Sequence, residues 1–325
     1  MTFKKASFYD MAEIALNTTQ VYIIPHENPD GDALGSSFAL CEFIRSLGKK
    51  ADVVTDKPIP ENYRFMEIES ILPENATENR DVFVLDCGDS SRMSTRQEIY
   101  DRAKNKYVID HHMTNKGFGD YCLVQGGYSS TGEIIYNIIK EAEKKENKSF
   151  LNDRIAFFIY TAIISDTGGL KYSSTTQNTF LAVAELSTHN VDIAYVNRML
   201  FDSNPLRKIK LQALVMSTLN ILCDGKLAFV YSTIDMMKKA GALENDTEGF
   251  VNIPRSIEGV EVAIYFKEKK DKEIKVSMRS NTYADVSKIS TILNGGGHFH
   301  ASGFTVNECL EDAIKKVIGL TYDIL

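Results

Sequence analysis

Five of the six histidines lie in three short polar clusters, two of which also carry aspartates. The first cluster, residues 26–37, begins with His26 and continues through Asp30 and Asp32. Histidine and aspartate at such short spacing are ligands that divalent transition ions prefer. The Asn-Pro-Asp-Gly-Asp run in the cluster is also typical of an ordinary turn, which is the alternative interpretation. An ordinary turn, however, does not need an imidazole and two carboxylates that can converge.

Two further groups of polar residues follow apolar runs. Asp86 ends the run Val-Phe-Val-Leu, and Asp110, His111 and His112 end the run Tyr-Val-Ile. A buried carboxylate without a partner is costly, so Asp86 is not expected to be a core residue. Adjacent imidazoles beside a carboxylate indicate a metal ligand oriented by an aspartate, with a surface histidine pair as the alternative. Asp166 precedes a Thr-Gly-Gly segment and is a fourth candidate, although a plain helix end explains it equally well.

The elements that would position these residues alternate along the first half of the chain. Short β-branched runs predict strands at residues 20–25, 51–55, 82–86 and 106–110. Stretches with helical periodicity lie at residues 33–47, 92–103, 131–145 and 151–164. This alternation predicts a parallel sheet covered on both faces, whose sites lie at the carboxyl ends of the strands. Four aspartates and two histidines at that edge suffice for two divalent ions sharing a carboxylate, an arrangement suited to phosphoester hydrolysis.

The second half of the chain predicts a smaller α/β unit. Its predicted strands are residues 227–232, 260–267 and 273–279, with a hairpin turn at 269–272, and its predicted helices are 233–241, 285–294 and 308–318. The predicted fold is therefore α/β, with an N-terminal parallel-sheet domain, an amphipathic helical linker, and a C-terminal domain with a mixed sheet. The predicted limits of these three parts are 1–202, 203–222 and 223–325.

A glycine-rich segment in the second domain suggests an anion site. Three successive glycines can expose consecutive backbone N–H groups as an anion nest, and an arginine at a strand end suits phosphate. A flexible hinge is the usual explanation for Gly-Gly-Gly alone, but Gly-Gly-Gly-His followed by Ala-Ser-Gly is more specific. The candidate phosphate contacts are Arg279, Ser280, Gly295, Gly296, Gly297, His298 and Ser302.

Composition restricts the cellular setting and the partners. The five cysteines are scattered and form no CxxC, which argues against a disulfide framework or a zinc knuckle and fits a reducing cytoplasm. No apolar run reaches the roughly 18–20 residues that cross a bilayer. The formal net charge is −7, and the acidic excess lies in residues 1–200. Such a chain lacks the continuous positively charged surface that binding of a long polyanion requires.

On these motifs the sequence resembles the DHH phosphoesterases, and among them the bacterial branch that degrades nanoRNA and 3′-phosphoadenosine 5′-phosphate (pAp). The glycine-rich signature is similar to the DHH-associated C-terminal domain of that family. The residues that carry the resemblance are His26-x-x-x-Asp30-x-Asp32, Leu85-Asp86, Asp110-His111-His112, Ser165-Asp166-Thr167-Gly168-Gly169 and Gly295-Gly296-Gly297-His298-x-x-Ala301-Ser302-Gly303.

The resemblance implies two Mn²⁺ ions that share Asp86. Mg, Co, Fe and Zn are alternative metals for the same site. The implied ligands are His26, Asp30 and Asp86 for one ion, and Asp32, Asp86, His111 and Asp166 for the other. Asp110 would orient a ligand histidine, and His112 would contact the scissile phosphate or protonate the leaving group. The implied catalytic residues are thus His112, Asp86 and Asp110, while Asp89 and Arg92 are expected to support the site from outside.

The implied activity is hydrolysis of short oligoribonucleotides to mononucleotides and of pAp to AMP. The expected partners are short single-stranded RNA, dinucleotides and pAp, with no long duplex and no membrane, and a homodimer stays open. The alternatives are a phosphodiesterase dedicated to linear pApA from cyclic-di-AMP turnover and a nucleotide-binding sensor without catalysis.

Overall fold

The chain forms two compact units that divide between Ser203 and Asn204. The structure is a computed structural model, and it describes residues 3–270 and 272–325, without the side chain of His298. Among the described residues, no helix combines the length and the apolar character that a membrane crossing requires.

A six-stranded sheet is the centre of the first unit. Its strands are β1 (Lys4–Lys5), β2 (Gln20–Pro25), β3 (Lys50–Val53), β4 (Asp81–Leu85), β5 (Lys106–Asp110) and β6 (Tyr121–Val124). They pair in the order β1-β6-β5-β4-β2-β3, and every pair is parallel. The predicted parallel sheet is therefore confirmed. Because β5, β4 and β2 are neighbours, the residues that follow them emerge side by side at one edge.

Helices cover both faces of this sheet. They are α1 (Phe8–Asn17), α2 (Gly31–Ser46), α3 (Gln97–Arg102), α4 (Thr131–Glu146), α5 (Asp153–Asp166), α6 (Gln177–Leu186) and α7 (Ile193–Asn197). Short 3₁₀ segments lie at Glu61–Met66, Pro73–Asn75 and Ser90–Arg96, and a π-helical turn lies at Arg198–Asp202. Alternate strand residues enter two separate cores: Ile23 and Phe83 pack in one, and Ile24 and Val84 in the other. This burial on both faces explains the continuous apolar runs in the sequence.

Three of these helices approach each other closely because small residues lie at their contacts. A Cβ on Gly35 of α2 would lie 2.6 Å from the carbonyl oxygen of Phe158 in α5. A Cβ on Gly132 of α4 would lie 2.4 Å from the Cβ of Ala162, also in α5. The spacing of α2, α4 and α5 therefore depends on the absence of side chains at these two glycines.

The second unit contains a mixed six-stranded sheet. Its strands are β7 (Asn220–Leu222), β8 (Leu227–Ser232), β9 (Val262–Lys270), β10 (Glu273–Ser280), β11 (Gly296–His298) and β12 (Ala301–Val306). The order is β11-β12-β10-β9-β8-β7, and only β8 and β9 run parallel. The predicted mixed sheet is confirmed, and so is the β9–β10 hairpin, with Lys270 opposite Glu273. Asp271, in the predicted turn, lies outside the described residues.

The helices of the second unit include part of the predicted linker. They are α8 (Leu206–Met216), α9 (Ile234–Ala240), α10 (Asn252–Arg255), α11 (Val286–Ile292) and α12 (Leu310–Thr321), with 3₁₀ segments at Cys223–Gly225, Glu244–Thr247 and Tyr322–Ile324. Leu211 and Val215 of α8 are buried against Val230 and Phe250. The apolar face of α8 thus packs into the second unit.

A buried carboxylate fixes the loop between β10 and α11. Glu261 accepts backbone hydrogen bonds from Thr282, Tyr283 and Ala284, at 2.7–3.1 Å, and a further bond from the Thr282 hydroxyl. Burial raises the pKa of Glu261, but the bonds from Thr282 and its neighbours outweigh burial, so the pKa is lowered.

We predict that Gly35→Ala destabilises the protein by about 1–3 kcal/mol, because the added methyl must displace the α5 backbone. Gly319→Ala is the matched control, since a Cβ on Gly319 in α12 meets nothing within 4 Å. That control should be neutral or stabilising by up to about 1 kcal/mol. Urea denaturation measures both variants, and equal stability of the two would contradict the close contact.

We also predict that Glu261→Gln destabilises the protein in a pH-dependent manner. The folded-state pKa of Glu261 is lowered. Its stabilising contribution is therefore fully present above the unfolded value of about 4.3 and is lost as the pH falls through the folded value. The denaturation midpoints of the wild type and of Glu261→Gln should differ most near pH 7 and should converge at lower pH. Glu258→Gln, at an exposed site, should have the wild-type midpoint at every pH. A midpoint difference between wild type and Glu261→Gln that does not change with pH would refute the prediction.

Candidate metal centre

The edge of the first sheet brings the predicted ligands together. His26 directly follows β2, Asp86 follows β4, and His111 follows Asp110, the last residue of β5. The order β5-β4-β2 places Asp86 between the two histidines. This juxtaposition follows from parallel pairing, and it confirms that three of the clusters lie at the carboxyl ends of neighbouring strands.

The start of α2 adds two carboxylates to the same edge. Asp30 is the N-cap of α2, and its Oδ1 accepts the N–H groups of Asp32 and Ala33 at 3.1 and 3.0 Å. The Asn-Pro-Asp-Gly-Asp run is therefore both a helix start and a source of candidate ligand atoms. The Asp30 side chain is 54% exposed, whereas the Asp32 side chain is 1% exposed.

Asp86 is the centre of the cluster. Its Oδ2 lies 3.8 Å from His26 Nε2, and its Oδ1 lies 3.6 Å from His111 Nε2. Its backbone is left-handed (φ 53°), a conformation that aspartate tolerates better than most residues. One carboxylate oxygen thus faces each imidazole, which is the arrangement expected of a carboxylate that bridges two ions.

Asp166, the last residue of α5, completes the second half of the cluster. The Nε2 atom of His111 lies 3.5 Å from Asp166 Oδ2 and 3.9 Å from Asp32 Oδ2. Three groups of residues could each hold a metal ion, because within each group the candidate ligand atoms lie no more than 4.8 Å apart. The groups are His26 with Asp30 and Asp86, Asp32 with His111 and Asp166, and Asp86 with His111 and His112. The structure therefore brings all of the predicted ligands into one cluster.

The electrostatics of the cluster favour a cation. Burial, followed by repulsion from Asp86 and Asp166, raises the pKa of Asp32 well above its usual range. Burial also raises the pKa of Asp86, and it raises the pKa of Asp166 to about 6. Carboxylates packed this closely cannot all stay ionised without positive charge nearby. A mixed set of imidazole nitrogens and carboxylate oxygens suits divalent transition ions, so these residues fit a metal site.

Backbone carbonyls lie next to the Nδ1 atoms of the candidate ligand histidines. His26 Nδ1 lies 2.6 Å from the carbonyl oxygen of Glu27, and His111 Nδ1 lies 3.4 Å from that of Tyr128. A proton on Nδ1 of each ring leaves the lone pair of Nε2 directed at the carboxylates. This is the tautomer that a metal-ligating imidazole adopts when its other nitrogen donates a hydrogen bond.

Asp110 has a different partner from the one expected. It was expected to orient a ligand histidine, but its Oδ1 accepts a 2.7 Å hydrogen bond from His112 Nδ1. Its Oδ2 accepts a bond of the same length from Asn115. Asp110 is fully buried, and the described contacts of its carboxylate are with His112 and Asn115. The hydrogen bond that His112 donates to Asp110 raises the pKa of His112 to about 9, against the effect of burial.

Thr131 is a supporting residue that sequence reasoning missed. The N–H groups of Thr131 and Gly132 donate to the two oxygens of Asp32 at 2.7 and 2.9 Å, and the Thr131 hydroxyl donates to Asp86 Oδ1 at 3.0 Å. The N-terminus of α4 therefore stabilises two buried carboxylates. The Ser-Ser-Thr run before α4 signals a helix start, but it does not show which carboxylates the helix meets.

The segment after β4 holds His26 in place. Asp89 caps the 3₁₀ segment by accepting the Ser91 N–H at 2.8 Å. The N–H of Glu27, next to His26, donates to the Arg92 carbonyl at 2.8 Å. Arg96, fully buried, donates to the Pro25 carbonyl at 2.8 Å. Asp89 therefore acts on the local backbone, whereas Arg92 and Arg96 support the end of β2.

The glycine-rich segment does not form the expected anion nest. The Gly295 N–H donates to the Ser290 carbonyl at 2.7 Å, and Gly296 and Gly297 belong to β11. Successive N–H groups of a strand point in opposite directions, so they cannot converge on one anion. Gly297 has φ 147°, and a Cβ there would lie 2.4 Å from the Ala301 carbonyl oxygen, so glycine is needed for the tight hairpin.

The remaining predicted phosphate contacts border this hairpin. The Ser302 hydroxyl donates to the Val286 carbonyl at 2.8 Å, and the Ser280 hydroxyl lies 2.9 Å from His300 Nδ1. Both serines are buried and have protein partners, so the geometry supports a positioning role for them. Arg279, partly exposed, donates from Nη1 to the Met278 carbonyl at 2.9 Å. The side chain of His298 lies outside the described part of the chain.

A parallel-sheet unit with a histidine–aspartate centre, followed by a mixed-sheet unit, matches two known domain families. The DHH family N-terminal domain matches residues 20–163, and the DHHA1 domain matches residues 226–322. A bifunctional oligoribonuclease and PAP phosphatase NrnA from Thermus thermophilus is 30% identical over 92% of this chain and 88% of its own length. The chain belongs to the DHH family, and the predicted enzyme class, phosphoesterase hydrolase, is confirmed with it.

Two further likenesses extend over nearly the whole chain. The cyclic-di-AMP phosphodiesterase PdeA from Listeria monocytogenes is 27% identical over 95% of this chain, which spans 48% of that protein. The crystal structure of an exopolyphosphatase-related protein from Bacteroides fragilis superposes with a TM-score of 0.89 at 26% identity, covering 97% of this chain and 95% of that one. The predicted fold class is confirmed by this second likeness.

We predict that Thr131→Val weakens Mn²⁺ binding about tenfold, the lower end of what loss of an outer-shell partner costs. Thr131→Ser keeps the hydroxyl and should bind Mn²⁺ as the wild type does. Thr161→Val is the matched control, because Thr161 is also buried but its hydroxyl bonds only within α5, to the Phe157 carbonyl. Calorimetric titration with Mn²⁺ measures the effect, and equal affinities for the two valine variants would rule out the role of Thr131.

Proposed function

We propose that this enzyme hydrolyses phosphoester bonds in short oligoribonucleotides to release mononucleotides, and that it converts pAp to AMP. The observation that carries the proposal is the placement of Asp86, with one carboxylate oxygen facing each of two imidazoles. This is the donor geometry for a pair of divalent ions, which suits phosphoryl chemistry. The activities in the name of the Thermus thermophilus relative support the choice of substrates.

The proposed ligand assignment divides the cluster between two ions. The proposed ligands are His26, Asp30 and Asp86 at one ion, and Asp32, Asp86, His111 and Asp166 at the other. When bound, such ions lower the pKa of a water molecule and stabilise charge on a phosphoryl group. Mn²⁺ is the proposed metal, because imidazole with carboxylate is a donor set that Mg²⁺ uses less readily. Fe, Co and Zn accept the same donors.

His112 is the proposed proton donor. The hydrogen bond to Asp110 occupies Nδ1 and raises the pKa of the ring to about 9. This hydrogen bond favours the protonated form of the ring and leaves Nε2 free of the Asp110 contact. The side chain is 30% exposed and stays accessible to a substrate. We assign Nε2 to the scissile phosphate or to the leaving oxygen, which receives a proton as the ester bond breaks.

The charge of the chain favours short substrates in this proposal. Seven excess negative charges remain before any metal binds, and each phosphate of a long nucleic acid requires a compensating cation for tight binding. Short single-stranded RNA, dinucleotides and pAp need few such contacts. Arg279 is the proposed contact for a second phosphate of the substrate. The proposed setting is the cytoplasm, where such fragments arise.

A phosphodiesterase dedicated to linear pApA is the second candidate. The likeness to the Listeria monocytogenes cyclic-di-AMP phosphodiesterase favours it, although this chain spans about half of that protein. The two candidates differ in substrate length. Rates on adenylate oligomers of two to five residues distinguish them, because a steep loss beyond two residues indicates the pApA enzyme.

The proposal is tested by assaying pApA, a five-residue RNA and pAp with Mn²⁺. Asp86→Ala and His111→Ala should each lower kcat/KM by more than about a hundredfold, beyond the loss caused by outer-shell changes. Asp235→Ala is the control, because the Asp235 side chain is 96% exposed in the second unit. Full activity of the Asp86→Ala variant on every substrate would refute the two-ion assignment. Tight pAp binding by the wild type without turnover would indicate a nucleotide sensor.

A further inference from the structure

The turn between β11 and β12 presents an exposed aromatic ring. Phe299 is 45% exposed and occupies this two-residue turn together with His300. The centres of the two rings lie 4.7 Å apart with their planes at 71°. A single exposed phenylalanine is common on protein surfaces. Its meaning therefore depends on how firmly the ring is held and on what surrounds it.

The backbone of this turn is held from both sides. The Phe299 carbonyl accepts the N–H of Val286 at 3.0 Å, and the His300 carbonyl accepts the N–H of Ser280 at 3.1 Å. The His300 ring is fixed in turn, since its Nδ1 lies 2.9 Å from the hydroxyl of buried Ser280. The backbone that carries the Phe299 ring is thus already fixed, so only side-chain torsions need to be ordered when the ring contacts a ligand.

A cationic residue lies in the strand that pairs with this hairpin. Arg279 lies opposite Ala301 in the β10–β12 pair, and Ala301 directly follows His300. Arginine and an exposed aromatic ring are the residue types that bind the two chemically distinct parts of a nucleotide, its phosphate and its base. Base stacking on aromatic rings also tolerates any base, which suits an enzyme for RNA of mixed sequence.

We infer that Phe299 is a specificity-determining residue that stacks on a nucleobase of the substrate. The inference rests on the proposed function, because it assumes that the substrate is a nucleotide or a short RNA. It assigns the recognition of a base to the ring and leaves the hydroxyls of Ser280 and Ser302 to hold the turn. Phe299 lies in the second unit and is not one of the candidate ligands or the proposed proton donor, so kcat should not depend on it.

Kinetics provide the first test. Phe299→Ala should raise KM for a five-residue RNA about tenfold, with similar factors for adenine and uracil sequences and little change in kcat. Phe299→Tyr should retain the wild-type KM. Phe180→Ala is the matched control, because Phe180 is 54% exposed on α6 of the first unit. Thermal denaturation of each variant distinguishes loss of binding from loss of stability.

Fluorescence provides a second test that is independent of turnover. The chain contains no tryptophan, so Phe299→Trp introduces a single reporter at the turn. Titration with AMP should quench its emission, whereas ribose 5-phosphate, which lacks the base, should leave it unchanged. An equal response to both compounds, or no response to AMP in an active variant, would overturn the inference.

The outcomes distinguish this inference from the proposed function. A wild type that hydrolyses RNA, with an unchanged KM in Phe299→Ala, overturns the inference and leaves the function intact. A parallel loss of kcat and thermal stability in Phe299→Ala also overturns it, by showing a structural role. A wild type inactive on RNA and pAp with Mn²⁺ refutes the proposed function, and the inference then fails with it.

Discussion

The burial of Asp32 and Asp86 at one sheet edge is the constraint on which the first unit depends. Both side chains are at most 3% exposed, and burial, followed by repulsion from neighbouring acids, raises the pKa of Asp32 well above its usual range. A structure keeps such carboxylates only if other groups compensate them. The N-terminus of α4 and the Thr131 hydroxyl supply part of this compensation. The imidazole of His26 faces Asp86 Oδ2, and that of His111 faces Asp86 Oδ1. Divalent cations would supply the positive charge that these groups do not provide.

The close packing of α2, α4 and α5 serves this charge arrangement directly. Asp32 lies in the first turn of α2, Thr131 begins α4, and Asp166 ends α5. Because α2 and α4 approach α5 through Gly35 and Gly132, these ends converge on the same edge of the sheet. Larger residues at either glycine would separate groups whose interactions depend strongly on distance. The helical core and the candidate metal centre are thus parts of one packing arrangement.

Much of the first unit could be predicted because local signals and the parallel topology agree. The apolar runs of β2, β4 and β5 each end in a polar group, and neighbouring parallel strands bring such groups together. The pairing of Asp110 with His112 could not be predicted, since either adjacent histidine is within reach and the turn after β5 decides between them. Strand β6 was missed because glycines flank its short apolar run. Thr131 was missed because a capping pattern describes only its own helix.

The glycine-rich hairpin shows a different limit of sequence interpretation. Three glycines and two serines suggested a site made of N–H and hydroxyl donors, but the structure uses those donors within the hairpin and its contacts. Glycine at 297 allows the tight approach to Ala301 that ordinary residues would prevent. The exposed part of the hairpin is instead the ring of Phe299, two residues before Ala301, which pairs with Arg279. The proposed recognition of a substrate by one ring and one cation needs few positive charges, which is consistent with a net charge of −7 and with the short anion of the proposed function.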